Sequence, residues 1–378
     1  MVRGRRTSGP GGGGRGPARP ERVVVVGSLN LDHTVMVDQL PLEVGATVLG
    51  SEYSTSAGGK GLNQAVAAAR QGAIVEMVGA VGDDPAGSLL VGVLADERIG
   101  VDHLRRVPGP SGTALVSIDR RGGNTIVVAP GANGTLGPDD LGEEVFAGAA
   151  VVVCQLEVPL AVVGAALAEG RRAGALTIFN PSPAGGPLPD GLLPLVDLVV
   201  ANEQEAAVVA PGSAGTGPLD RAAAAGRSVV ARGAGEAIVT LGPRGALIVG
   251  RELVTPVAPF RVTSVDPTAA GDAFVGALAA ALAAGEPTLV AARRGAAAGA
   301  LAVTRRGAVP SLPGRASVDR LVSEAGPGAP PGRAGRPAGS GSHSPGAPQQ
   351  LPGPRNRHRD GAPARRGDPS RRGGRGPN

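Results

Sequence analysis

The chain has 378 residues, a formal charge of +5, one cysteine and four histidines, and among its 37 basic residues Lys60 is the only lysine. Cys154 standing alone excludes an internal disulfide and a cysteine-ligated metal cluster, and four scattered histidines argue against a histidine-metal enzyme. Residues 1–20 contribute +5 and residues 325–378 contribute +8, so residues 21–324 carry −8, which gives the middle of the chain no electrostatic basis for holding nucleic acid.

Both ends are rich in Gly, Pro and Arg and nearly free of large aliphatic side chains. Such segments cannot bury enough apolar surface to become ordered. Disordered tails are therefore expected at 1–20 and 323–378, around one folded domain at 21–322. No run approaches about eighteen apolar residues and no apolar leader opens the chain, so a cytoplasmic protein without a membrane partner is expected. In a chain whose cations are otherwise arginine, Lys60 marks a place where a compact ammonium serves and a fork-shaped guanidinium does not.

Val23 to Val26 form a continuous β-branched run closed by Gly27, the pattern of a strand buried on both faces of a parallel sheet. Polar residues just past the carboxyl end of such a strand lie where open α/β sheets place ligands. Asn30 and Asp32, two apart, would share a face in extended chain and could bond adjacent sugar hydroxyls. A dinucleotide fold needs Gly-x-Gly-x-x-Gly at this point, and Gly27-Ser28-Leu29-Asn30 does not supply it. Residues 34–37 and 46–56 read as short alternating strands with no helix between them, and 113–119 with 125–129 as a hairpin. Together they predict a small lid sheet drawn from about 33–57 and 112–130. Between the two pieces, Gly58-Gly59-Lys60-Gly61-Leu62-Asn63-Gln64 leads into a helix over 65–71. Its glycines let backbone approach a ligand closely, but Gly61 after Lys60 excludes a P-loop.

From residue 150 onward strand and helix alternate. Strands over 150–155, 176–179, 198–201 and 237–241 end at Glu157, at Asn180, at Asn202 with Glu205, and at Gly242 through Gly245. This predicts a three-layer, doubly wound, mostly parallel α/β sheet whose site runs along one edge. An extended run over 260–265 then meets Asp266 and Pro267, and a helix over 273–284 follows Asp272. Strand, tight turn and helix start would leave the amides of Ala270, Gly271 and Asp272 free to bind an anion. Asp272 beside them could take a proton from a hydroxyl, the combination that phosphoryl transfer to an alcohol needs. An ordinary helix start capped by Asp272 accounts for the same residues.

Eight motifs in order then carry a resemblance. They are Gly27-Ser28 with Asn30 and Asp32, the Gly58 to Gln64 stretch, Gly131-Ala132-Asn133, Gln155-Leu156-Glu157, Asn202-Glu203 with Glu205, Thr240-Leu241-Gly242 with Gly245, Asp266 with Ala269 to Asp272, and the segment 303–311. Over residues 23–313 the chain resembles the PfkB-type carbohydrate kinases, most closely the ribokinase group. The resemblance implies ATP-dependent phosphorylation of D-ribose at O5 in a ribokinase-like fold. It implies Asp272 as the base with Ala269, Ala270 and Gly271 as the anion hole. Around the sugar it implies Asn30, Asp32, Gly59, Lys60, Asn63 and Glu157, and along ATP it implies Asn202, Thr240, Gly242, Gly245 and Gly271. Glu205 would hold magnesium through water. Potassium, as activator, would be bound by Asp266 and Ser311 with the carbonyls of Thr268, Ala302, Arg305 and Gly307. A homodimer through the half-exposed lid is implied as well. Two positions depart from the pattern: Pro267 stands where Thr is usual, and Ala296 where an Asn or His commonly lies against adenine. A kinase for another small sugar or a nucleoside, or a catalytically silent sugar-binding relative, are the alternatives. Tyr53 and four Phe are the chain's only aromatics, too few to favour stacking of a nucleobase.

Overall fold

Val23, Val24, Val25 and Val26 are all fully buried, and the way they divide decides the architecture. Side chains alternate across a strand, so Val23 and Val25 enter one hydrophobic core while Val24 and Val26 enter another. The strand therefore lies between two helical layers. The computed structural model describes residues 22–40, 45, 47–120, 123–211 and 217–326.

In chain order the strands and helices are β1 (Arg22–Val26), β2 (Asn30–Met36), β3 (Glu52–Gly58), α1 (Lys60–Arg70), β4 (Ile74–Gly82), α2 (Pro85–Asp96), β5 (Leu104–Val107), β6 (Gly112–Ile118) and β7 (Asn124–Ala129). The short α3 (Glu143–Phe146) precedes β8 (Val151–Cys154), α4 (Leu160–Arg172), β9 (Leu176–Phe179), β10 (Leu198–Asn202), α5 (Glu203–Val209) and α6 (Pro218–Ala231). The chain continues through β11 (Glu236–Thr240), β12 (Ala246–Val249), β13 (Val254–Val257), α7 (Ala270–Ala283), α8 (Thr288–Ala302) and α9 (Arg315–Glu324). Among the described residues nine strands form one sheet in the order β13-β12-β11-β10-β9-β8-β1-β4-β5. It is parallel from β11 to β5 and antiparallel at β12 and β13. Helices α1, α2, α7, α8 and α9 cover one face, and α3 to α6 the other. This is the expected three-layer, mostly parallel α/β fold.

The smaller sheet has the order β3-β2-β6-β7. Its registers pair Asn30 with Gly58 and Gly112, and Ala114 with Val128, so the even-numbered residues of all four strands share one face. Strand β2 starts at Asn30, earlier than the expected 34, which builds Asn30 and Asp32 into this sheet.

Two other expectations change. Residues 260–265 form no strand; 261–265 are exposed, and only the amides of Val265 and Asp266 find backbone, both donating to Val303 O. Strand β13 is the edge strand of the large sheet, but the run that follows pairs with no strand and meets backbone only at Val303. Helix α9 runs to Glu324, two residues past the expected boundary at 322. The expected tails, over 1–20 and from 327 onward, lie outside the described residues. No helix among those described is long and apolar enough to cross a membrane.

One helix contact fixes the site. A Cβ at Gly276 of α7 would lie 2.4 Å from Ala67 Cβ and 2.6 Å from Gln64 O on α1. Only glycine permits that approach, which registers α1 against α7 one turn below Asp272.

Candidate active site

Helix α7 begins from an unusual residue. Ala269, its N-cap, has φ 58° and ψ 11°, a left-handed conformation that costs a residue with a Cβ on the order of 1 kcal/mol and gathers at functional turns. It turns the first amides of α7 outward. Ala270 N leans on Pro267 O at 3.3 Å, whereas the amides of Gly271 and Asp272 have no acceptor among the described residues. Two of the three expected free donors are thus in place, at the positive end of a fourteen-residue helix.

Asp272 sits in that first turn with its side chain buried. Asn63 Nδ2 donates to its Oδ2 at 3.0 Å, and Gln64 Nε2 donates to its Oδ1 at 2.9 Å. Burial raises its pKa, opposed by Lys60 and by the hydrogen bonds from Asn63 and Gln64, with Glu157 adding to the rise. Such a carboxylate can accept a proton from a hydroxyl delivered beside the free amides. Burial alone would lower the Lys60 pKa, but Asp272, Glu157, Glu205 and Asp32 outweigh it and hold the ammonium above its usual 10.5.

The sugar-facing residues expected from the sequence come together. Glu157 Oε2 accepts from Ser28 Oγ at 2.6 Å, from the Lys60 amide at 3.0 Å and from Asn30 Nδ2 at 3.4 Å. Asn133 spans the same joint, accepting from Leu29 N at 2.9 Å and donating to Asn30 Oδ1 at 2.8 Å. Gly59 has φ 89°, and a Cβ there would stand 2.8 Å from Asn30 N and 3.0 Å from Ser28 O. That explains the glycine at the start of α1. Asp32 accepts no hydrogen bond among the described residues. Burial, Glu157 and Asp272 raise its pKa to about 7 against the pull of Lys60.

Two cavities meet here. One of about 500 Å³ is bounded by Asn30, Asp32, Asn63, Glu157 and the lid strands. The other, of about 390 Å³, is bounded by Asn202, Glu205, Thr240, Ala270 and Gly271. Lys60, Asn124, Ala269 and Asp272 line both. Asn202 and Glu205 form a reciprocal cap on α5, Glu205 N donating to Asn202 Oδ1 at 2.8 Å and Asn202 N to Glu205 Oε2 at 2.9 Å. Gly242 and Gly245 flank a short turn after β11 and line neither cavity. Gly245 is required by packing, since a Cβ there would lie 2.1 Å from Val257 O.

Among the residues expected around potassium, Asp266, Thr268 and Gly307 are tied directly to one another. Asp266 Oδ1 accepts from Thr268 N and Oγ1 at 2.9 and 2.6 Å, and its Oδ2 accepts from Gly307 N at 2.8 Å. Ser311 Oγ donates to Ala308 O at 2.8 Å, and Ala302 O accepts from Arg305 N at 3.2 Å. No cation lies within ion-pair distance of Asp266 among the described residues.

The pfkB family carbohydrate kinase model matches residues 20–315. The chain belongs to that family. This carbohydrate kinase, a phosphotransferase using ATP, is 34% identical over 298 residues to a ribokinase of Haemophilus influenzae, with 78% of this chain and 95% of the relative covered. It is also 35% identical over 260 residues to a deoxyribokinase of Salmonella typhi, covering 68% of this chain and 84% of the relative. A ribokinase of Arabidopsis thaliana, solved with ribose and ATP, superposes with a TM-score of 0.72 at 31% identity over 80% of this chain and 98% of its own.

Sequence reasoning assigned no role in the carbohydrate kinase to Ser28, Gln64, Asn124, Asn133, Gln155 or Asn180. Four of them lie within or beside motifs already singled out, and a polar residue next to a strand end was the available signal. Gln64 lies on a helix, where a glutamine reads as surface until burial is known; here it is 1% exposed.

Proposed function

We propose that this kinase transfers the γ-phosphoryl group of ATP to O5 of D-ribose, giving D-ribose 5-phosphate and ADP. The observation that carries this reading is the meeting of the two cavities at Lys60, Ala269 and Asp272. A hydroxyl from one side and a phosphoryl group from the other come together where a carboxylate and two unused amides already stand. Asp272 takes the proton from O5 as the new phosphorus–oxygen bond forms. The amides of Gly271 and Asp272 donate to the phosphoryl oxygens, and Lys60 balances the charge that moves toward ADP. A loose transition state asks little of the base, so positioning and charge neutralisation carry most of the rate.

Asn30, Asp32, Lys60, Asn63 and Glu157 bind the sugar hydroxyls. Asn63 Oδ1 is buried without a donor, an acceptor that a hydroxyl would satisfy. Thr240, Asn202 and Gly271 line the nucleotide side, with Gly242 and Gly245 in the turn beyond. The remaining oxygen of Glu205 fits a magnesium ion held through water, which would neutralise phosphate charge. The donors around Asp266, namely carboxylate, hydroxyl and the carbonyls of Thr268, Ala302, Arg305 and Gly307, are all oxygen. That chemistry fits potassium, which would add positive charge beside the turn into α7.

The lid leaves apolar side chains uncovered. Ile126 and Val128, on the face toward the sugar cavity, are 52% and 36% exposed, and Leu115 and Val127 on the other face are 57% and 60% exposed. A second copy pairing through the lid would cover them, so the kinase acts as a homodimer. A monomer mass by light scattering at micromolar concentration would contradict this.

The likeness to a deoxyribokinase makes 2-deoxy-D-ribose the competing acceptor. A deoxy sugar would leave one polar group of the floor without its partner. Ribose should therefore exceed deoxyribose by about 10-fold or more in kcat/KM. A coupled ADP-release assay with ribose, deoxyribose, fructose and nucleosides decides it. Faster turnover of any other acceptor than of ribose would end the ribose reading and keep the kinase.

A further inference from the structure

Asp272 is held from behind by a chain of buried amides, of which Asn180 borders the second cavity and the two glutamines border neither. Gln64 Nε2 divides its two hydrogens between Asp272 Oδ1 at 2.9 Å and Asn180 Oδ1 at 3.0 Å. Gln64 Oε1 accepts from Gln155 Nε2 at 2.7 Å, and Asn180 Nδ2 is anchored on Val200 O at 2.8 Å. All four side chains are buried, and neither Gln64 nor Gln155 lines the sugar or the nucleotide cavity.

The polarity of this chain is forced. An ionised carboxylate only accepts hydrogen bonds, so the Gln64 amide must turn its NH2 toward Asp272. Its carbonyl then faces Gln155, which must donate in turn. The cost collects at the far end, where Gln155 Oε1 is buried without a partner. That is an unfavourable arrangement in a core, and its placement against Asp272 gives it a use.

We propose that Gln64 is the positioning residue of Asp272 and that Gln155 acts through it, fixing the plane of the carboxylate so that it faces the incoming hydroxyl. The proposal rests on the reading of Asp272 as the base. Because the pair touches neither substrate, its contribution belongs to kcat. The contact at Gly276, where α7 lies against Gln64 O and Ala67, keeps the distance between the two helices short enough for the bond.

The test uses methionine, which keeps the length of glutamine without its donor. Gln64→Met and Gln155→Met, singly and together, and Gln64→Met in an Asp272→Asn background are compared by steady-state ADP release with ribose and ATP. Gln64→Met should lower kcat on the order of 10- to 100-fold, with both KM values within about 3-fold of the parent. Gln155→Met should lower kcat about 3- to 10-fold, and the double variant should be no slower than Gln64→Met alone. In the Asp272→Asn background Gln64→Met should add nothing. A KM change without loss of kcat would overturn the proposal, as would equal and multiplying losses from the two glutamines or a further loss in the Asp272→Asn background. Should Gln64→Met fail to fold, Gln155→Met alone decides, and an unchanged kcat overturns the proposal. Near-parental turnover by Asp272→Asn sinks the reading of the base; a silent Asp272→Asn with an unaffected Gln64→Met sinks only the positioning role.

Discussion

Two of the acids that line the larger cavity, Asp272 and Asp32, are held in contrasting ways. Asp272, on the body of the molecule, has an amide donor on each carboxylate oxygen and a buried polar chain behind one of them. Asp32, on the lid sheet, accepts nothing among the described residues and stands within the field of two other carboxylates. The neighbourhoods differ in the same sense. Strand β1 is buried between two cores, while every residue of β7 is exposed. The body is complete as a folded object, and the lid is completed by what binds to it. In an enzyme that division has a purpose: the reacting end is preorganised and costs no rearrangement at the moment of reaction. On the proposed reading, the gripping end keeps unmet bonding capacity for a sugar to satisfy.

The largest effect should come from breaking the preorganised end. Asp272→Asn keeps the shape and both neighbouring helices but removes the charge and the proton acceptor. We expect kcat to fall at least about 10²-fold, the usual scale for a lost general base, with the melting temperature held or raised because a desolvated carboxylate is gone. Steady-state turnover within a few-fold of the parent would show that Asp272 is a structural cap, and the contrast between the two acids would lose its meaning.

Much of the body was legible in the sequence because its signals are local and repeated. A run of valines closed by Gly27 identifies a strand with two buried faces, and strand–helix alternation from residue 150 identifies the layers. Strand-end position points to Asn30, Asp32 and Glu157; Lys60 and Asn63 stand out in the glycine-rich stretch before a helix, Asp272 at a helix start, and their roles come from the resemblance. What stayed hidden depends on partners distant in sequence. Residues 260–265 have the composition of a strand but pair with none, their end being tied to Val303 instead. Ala269 adopts φ 58° without being Gly or Asn, so no residue type announces the turn. Gln64 matters through burial against α7, 208 positions away. Position at a strand end points to residues that line a cavity; it is blind to what holds those residues in place.

A smaller effect is expected where lid and body meet. Asn124, at the start of β7, is the lid residue that lines both cavities beside Lys60 and Asp272. On the proposed reading its amide would donate to the transferring phosphoryl group from the lid side. Asn124→Ala should lower kcat about 10-fold and leave folding intact, as for loss of one donor to developing charge. An unchanged kcat would confine the lid to sugar binding and sharpen the division between the two regions.

Removal of potassium should matter less. Asp266 already ties Thr268 to Gly307 through its own hydrogen bonds, so an ion there would strengthen a joint that exists. Turnover in potassium buffer should exceed that in sodium-only buffer at equal ionic strength by a few-fold, on the order of 3–10, mainly in kcat. Equal rates would mean that the Asp266 joint alone suffices for the turn into α7.

The smallest effect on turnover, in the prediction that tests the contrast directly, is expected at Asp32. Burial, Glu157 and Asp272 move its pKa from the ordinary 3.8 to about 7. In the unfolded chain the carboxyl is ionised above about 4, while in the native protein it keeps its proton until about 7. Between those values the folded state binds a proton that the unfolded state has released. The contribution of this group to stability therefore declines as pH rises from about 4 to about 7, and is constant above. Asp32→Asn removes the decline. Without ligand, the variant should melt a few degrees above the parent at pH 8, about 1–2 kcal/mol after allowing for water that still reaches the carboxylate. The gap should close as pH falls from 7 toward 4, where the parent's Asp32 is protonated in the native state. Ribose affinity should move the opposite way and weaken on the order of 10-fold, because an acceptor for a sugar hydroxyl has been replaced. Equal melting temperatures at pH 8 would mean that Asp32 is as well accommodated as Asp272, and the lid would then be as complete without its sugar as the body is.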